Sequence, residues 1–219
     1  MKPLSLLYLF IAFVLLAVSC SAPESQVTPE SKVKTQEEVA SSEKKKVILF
    51  FGNSITAGYG LEITDAFTTL IQARLDSMNA GYEVINAGVS GETTASGANR
   101  VKWVLEKQPV DIFVLELGAN DGLRGVPVAE TRKNLEYIID KVREHNPDVK
   151  IILAGMMVPP SMGSDYSRQF GNTFPEVAKK KNITLIPFIL ENVAGIDTLN
   201  LQDGIHPNKT GEKIVAENV

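Results

Sequence analysis

Residues Val47-Ile48-Leu49-Phe50-Phe51-Gly52-Asn53-Ser54 decide the fold. Five consecutive apolar residues, partly β-branched and aromatic, are stopped by a glycine, the pattern of a short strand covered on both faces. Further apolar runs follow at Val84-Ile85-Asn86, Ile112-Phe113-Val114-Leu115-Glu116-Leu117, Val149-Lys150-Ile151-Ile152-Leu153 and Thr184-Leu185-Ile186-Pro187. Between them the apolar residues fall at helical spacing. Phe67, Leu70, Ile71, Leu75 and Met78 share one face, as do Val128, Thr131, Leu135, Ile138, Ile139 and Val142. The second of these helices opens beside Pro127 and closes before Pro147, with others expected over Thr93–Lys107, Phe170–Lys181 and from Asn208 onward. Strands alternating with helices pair in parallel through right-handed crossovers, which predicts an α/β fold: a three-layer α/β/α sandwich on a mainly parallel five-stranded sheet.

The 46 residues ahead of this region have a different character. Lys2 precedes an apolar run from Leu4 to Val18, too short to span a bilayer but suited to the core of a signal peptide. Residues 1–19 are therefore expected to be removed. Ala17 and Ser19 are small residues at the spacing a signal peptidase reads, and Cys20 follows at once. The arrangement resembles the lipobox of bacterial lipoproteins, with Ala17 where a leucine usually stands. Acylation of Cys20 would anchor the protein to a membrane of the bacterial cell envelope, the competing reading being ordinary secretion with a coincidental cysteine. Residues 20–46, rich in Ser, Glu, Lys, Gln and Pro, hold few large apolar side chains to offset ordering entropy and read as a tether. The folded domain is expected over residues 47–219.

Composition excludes several function classes. With 22 basic and 26 acidic residues the net charge is −4, so there is no basic excess to displace counterions from a nucleic-acid backbone. One cysteine and two histidines leave no internal disulfide framework and no Cys/His zinc pattern, and no motif asks for a cofactor. The protein is expected to act as a monomer.

In a parallel α/β sheet, ligands sit beyond the carboxyl ends of the strands, so the chemistry is sought there. Gly52-Asn53-Ser54-Ile55-Thr56-Ala57-Gly58 lacks the Lys-Ser/Thr ending of a phosphate loop, and Thr56 stands where a Gly-x-Ser-x-Gly elbow needs glycine. What remains is a serine on a tight turn, either a nucleophile or a structural residue. After the second strand, Gly88 allows a backbone N–H to approach a ligand or serves only the turn. After the third, Asn120 in Gly118-Ala119-Asn120-Asp121-Gly122 offers an amide to an oxyanion, although Asn-Asp-Gly is also turn chemistry. Asp203-Gly204-Ile205-His206 sets a carboxylate three residues before an imidazole, a spacing at which the acid can fix the tautomer of a general base. The other histidine, His145, ends a helix, where the helix dipole accounts for it.

Taken together, Ser54, Gly88, Asn120 and His206 resemble the four successive blocks of the SGNH, or GDSL, hydrolase superfamily. The stretches Asn86–Thr94, Glu116–Gly125 and Leu201–Asn208 are similar to those of its bacterial acyl-CoA thioesterase I / arylesterase / lysophospholipase branch. The resemblance implies a flavodoxin-like sandwich and a serine esterase acting on acyl esters and thioesters. It implies Ser54 as nucleophile, His206 as base and acid, and Asp203 as its orienter. The implied oxyanion donors are the Ser54 and Gly88 backbone N–H groups and the Asn120 side chain. An acyl groove is expected between Leu123, Arg124 and Val126 on one side and Met157 and Pro159 of the Met156–Pro160 stretch on the other, Met156 and Met157 being equally explicable as core. One position departs from the family pattern: Asn53 stands where an aspartate is usual, and reduced or altered activity is expected from the missing charge. A carbohydrate O-acetyl esterase and a non-catalytic lipid-binding lipoprotein are the competing readings.

Overall fold

The computed structural model describes residues 44–219. The expected signal segment, Cys20 and most of the tether lie outside the described residues. Five strands, β1 (Lys46–Gly52), β2 (Tyr82–Gly88), β3 (Ile112–Glu116), β4 (Lys150–Ala154) and β5 (Thr184–Ile186), form one sheet in the order β2-β1-β3-β4-β5. Every neighbouring pair is parallel. The expected fold class is what the chain adopts.

The central strands β1 and β3 are buried along nearly their whole length, and Phe50, Phe51, Phe113 and Leu115 are inaccessible to solvent. Residues on both sides of these strands meet helices, so their apolar runs are continuous and not alternating. The edge strand β2 keeps more exposure and extends further in both directions than its apolar core of Val84–Asn86 suggests, because pairing with β1 continues from Lys46↔Tyr82 to Gly52↔Gly88 whatever the side chains.

Among the described residues seven helices accompany the strands: α1 (Ser54–Ala57), α2 (Phe67–Ser77), α3 (Thr94–Leu105), α4 (Ala119–Leu123), α5 (Val128–His145), α6 (Ser164–Lys181) and α7 (Lys209–Asn218). On one face α3 packs on α5 and α5 on α6, while α2 and α7 pack together on the other, as right-handed crossovers about this strand order require. Leu135, Ile138 and Ile139 of α5 meet the sheet together with Phe170 and Phe174 of α6. Helix α6 starts six residues before the expected Phe170. Its polar first turns are held by Tyr166, whose hydroxyl donates to the Val126 carbonyl at 2.8 Å and whose ring stacks on Phe170. The single-turn helices α1 and α4 were not separable from turns in the sequence, being too short to show a period. They stand directly after β1 and β3, at the carboxyl edge of the sheet.

Candidate active site

Ser54 is the first residue of α1, and the turn that carries it is built around a buried carboxylate. Glu116, the last residue of β3, is fully buried and accepts four hydrogen bonds from this turn. Its Oε2 takes the Asn53 N–H at 3.1 Å, the Thr56 N–H at 3.2 Å and the Thr56 hydroxyl at 2.7 Å, while Oε1 takes the Asn53 side-chain amide at 2.8 Å. The Oδ1 of Asn53 then caps α1 by accepting from the Ile55 N–H at 3.0 Å, and stands 3.4 Å from the Ser54 hydroxyl. The N–H groups of Asn53, Ile55 and Thr56 are thereby all satisfied. Among the described residues the Ser54 N–H has no acceptor within the protein, and Ser54 lines a cavity.

His206 arrives from the loop between β5 and α7. Its Nε2 lies 2.8 Å from Ser54 Oγ, and its Nδ1 lies 2.7 Å from Asp203 Oδ2. The other oxygen of Asp203 accepts from the N–H groups of Ile205 and His206, both at 3.0 Å, so the loop is wound around its own carboxylate. Burial works to raise the Asp203 carboxyl, but these two N–H groups and the imidazole outweigh it and hold the group below its ordinary value. An ionised acceptor at Nδ1 fixes the proton there and leaves the Nε2 lone pair facing the serine hydroxyl. Tyr59 lies over the imidazole with ring centroids 4.6 Å apart. His145 ends α5, remote from this chemistry in the chain and in the fold.

Asn120 lies in the first turn of α4. Its amide donates to the Glu92 carbonyl at 3.0 Å, which leaves its second hydrogen for the cavity it lines. The neighbouring Asp121 is buried and fastens α4 to the start of α3 by accepting from the Thr94 N–H at 2.8 Å and hydroxyl at 2.5 Å. Gly88 is placed differently. Its N–H donates to Asn86 Oδ1 at 2.9 Å, and the residue does not line the cavity. A Cβ there would come within 2.4 Å of the Ala57 backbone nitrogen, so the glycine is needed for the close approach of β2 to α1.

The cavity beyond Ser54 has a volume of about 380 Å³ and falls within the range of small-molecule sites. Asn53, Ser54, Asn120 and His206 supply its polar side chains. Ile55, Leu123, Met156, Val158, Phe188 and Leu190 supply much of the apolar wall, and His206 is the one titratable side chain among the lining residues. Leu123, Met157 and Pro159 line it as expected; Arg124 and Val126 do not. The Arg124 guanidinium reaches away to the Gly91 carbonyl at 3.1 Å, and the Val126 backbone is engaged by Asp121 and Tyr166. The two methionines divide between the readings: Met156 is buried in the core while still touching the cavity, and Met157 is more than half exposed at its mouth.

This geometry has relatives. Residues 50–214 match the GDSL-like Lipase/Acylhydrolase family. The chain belongs to that family. It is accordingly an ester hydrolase. Esterase TesA of Pseudomonas aeruginosa is 36% identical over 174 residues, covering 80% of this chain and 86% of that protein. The thioesterase 1/protease 1/lysophospholipase L1 of Escherichia coli K12 is 31% identical over 170 residues, covering 78% of this chain and 79% of that one. Among solved structures, the psychrotrophic esterase EstA from Pseudoalteromonas, inhibited by monoethylphosphonate, superposes with a TM-score of 0.76 at 31% identity, covering 80% of this chain and 94% of that one.

Sequence reasoning overlooked Glu116, although a signal existed. It is the one charged residue in an otherwise apolar, doubly covered strand, and a carboxylate in such a place needs partners. Burial pushes its carboxyl up to about 7, with the donors of Thr56 and Asn53 opposing a larger rise.

Proposed function

We propose that this member of the family hydrolyses carboxylic esters and thioesters of acyl chains through an acyl-Ser54 intermediate. The supporting observation is the Asp203–His206–Ser54 relay opening onto an apolar cavity that holds no fixed charge. His206 Nε2 takes the Ser54 proton as Oγ attacks the ester carbonyl, and Asp203 stabilises the imidazolium that forms. The oxyanion is met by the Ser54 N–H and the free hydrogen of the Asn120 amide, each such donor being worth ~3 kcal/mol in related sites. Because the Gly88 N–H is already engaged by Asn86, two donors are assigned here in place of the three implied by the resemblance. Collapse of the intermediate releases the alcohol or thiol, protonated by His206, and a water activated by the same imidazole then frees the acid.

The acyl chain lies along Leu123, Met157 and Pro159. Each methylene drawn into this wall contributes ~0.8 kcal/mol, so kcat/KM on p-nitrophenyl esters is expected to rise by about fourfold per carbon from acetyl onward, until the cavity is filled. Turnover confined to acetyl esters, or release of acetate from acetylated glycans without hydrolysis of longer esters, would replace this reading with that of a carbohydrate O-acetyl esterase.

We further propose that the protein is a monomer tethered through an acylated Cys20 to a membrane of the bacterial envelope. Outside the cytoplasm acyl-CoA is scarce, which makes lysophospholipids the favoured physiological esters. Cys20→Ala is expected to move the protein from the membrane to the soluble fraction; retention in the membrane fraction would count against the anchor.

A further inference from the structure

The Asn53 side chain has two ends that differ only in polarity, and its surroundings accept one orientation. A carboxylate offers hydrogen-bond acceptors alone, and all four bonds drawn by Glu116 come from donors on the nucleophile turn. The Asn53 amide must therefore turn its NH₂ toward Glu116. That choice sends Oδ1 the other way, to the Ile55 N–H at the start of α1 and to the vicinity of Ser54 Oγ. Reversing the amide would leave the buried Ile55 donor facing another donor.

We propose that Glu116 is a positioning residue for the esterase reaction: by fixing the polarity of Asn53 it sets the α1 cap and the placement of the Ser54 hydroxyl against His206. The inference rests on the esterase reading and extends it to a carboxylate that does not line the cavity and acts through Asn53, which does. It also changes what the absence of an aspartate at position 53 means. Above about pH 7 the negative charge beneath the nucleophile is supplied from β3, and an added carboxylate at position 53 would face the one already there. The Oε1 of Glu116 lies 2.8 Å from the atom that would become the second carboxylate oxygen.

Directionality makes a reciprocal test possible. In Glu116→Gln, the amide oxygen can hold the three donors now on Oε2, which sets its NH₂ against the NH₂ of Asn53. In Asn53→Asp, two acceptors oppose each other. In the double variant N53D/E116Q the match returns with reversed sense, since the introduced glutamine donates to one oxygen of the introduced aspartate and the other oxygen still caps Ile55. Assayed at about pH 8, where Glu116 is ionised, each single variant is expected to lose roughly ten- to hundredfold in kcat, the scale of a small misplacement of reacting groups. KM is expected to stay within about threefold, because Glu116 does not line the cavity and the Asn53 side chain adds no apolar surface to it. The double variant is expected to recover kcat to within about threefold of wild type.

Melting temperatures are recorded on the same four proteins. Recovery of both kcat and melting temperature in the double variant supports the proposal. A double variant whose kcat loss equals the product of the single losses overturns it, and so does one that regains its melting temperature without its kcat, since the pair would then be purely structural. Wild type lacking Ser54-dependent hydrolysis would defeat the esterase reading instead, an outcome recognised by Ser54→Ala having no effect.

Discussion

Ser54→Ala and His206→Ala are each expected to lower kcat on acyl esters by on the order of 10⁴- to 10⁶-fold, and the double variant to lose no more than the worse single. The serine hydroxyl is a poor nucleophile until its proton is taken. The base that can take it is one imidazole nitrogen, 2.8 Å away. Removing either partner abolishes the same step, so the losses do not multiply. Asp203→Asn tests the third member on different grounds. Two backbone N–H groups occupy one oxygen of Asp203, and an asparagine keeping those bonds must turn its NH₂ toward His206 Nδ1. The imidazole would then carry its proton on Nε2, pointed at the serine, and a loss of about 10³- to 10⁴-fold in kcat with little change in KM is expected. Residual turnover should come from the oxyanion donors alone. A His206→Ala variant retaining a tenth of wild-type kcat would remove the imidazole from the mechanism, whatever the distances.

The sheet and the long helices were legible because each has a period and a boundary. Apolar runs ending in Gly52 or reaching Gly118, and the Val128–Val142 stripe beginning after Pro127 and ending before Pro147, state their element and its limits together. The convergence of Ser54, Asn120 and His206 on one cavity followed from a topological rule, since the segments of Ser54 and Asn120 follow adjacent parallel strands and must share an edge. What remained hidden depended on side-chain direction. Nothing in a string of letters shows that the Gly88 N–H turns to Asn86, that Arg124 swings to Gly91, or that four donors from residues 53 and 56 close on a carboxylate 60 residues away. Asn53 illustrates the difference. As a letter it is an aspartate lacking its charge, and in the fold it is the donor that a neighbouring charge demands.

That same charge is expected to make stability fall with rising pH. Glu212, in the first turn of α7, is almost completely buried and accepts from the Phe67 N–H at 2.6 Å, closing the start of α2 from across the helix pair. Burial pushes its carboxyl up to about 7; the Phe67 N–H opposes this, while the charge of Glu116 adds to it. Glu116 itself is raised to about 7, again chiefly by burial. A carboxyl raised in the folded state holds a proton that the unfolded chain gives up near 4.5. The contribution of these two groups is therefore greatest in acid, declines between about pH 4.5 and 7, and stays low above that window. In Glu212→Gln the amide oxygen can keep the Phe67 bond, and nothing there ionises. The variant is expected to match wild type near pH 4 and to exceed it above pH 7 by up to ~3 kcal/mol, or roughly 5–10 °C in melting temperature. Melting curves across this range decide the matter through the difference between the two proteins, in which titrating groups other than the coupled Glu116 cancel. A difference that does not grow with pH would mean that the α7 carboxylate ionises without cost, and that water reaches the junction of α2 and α7.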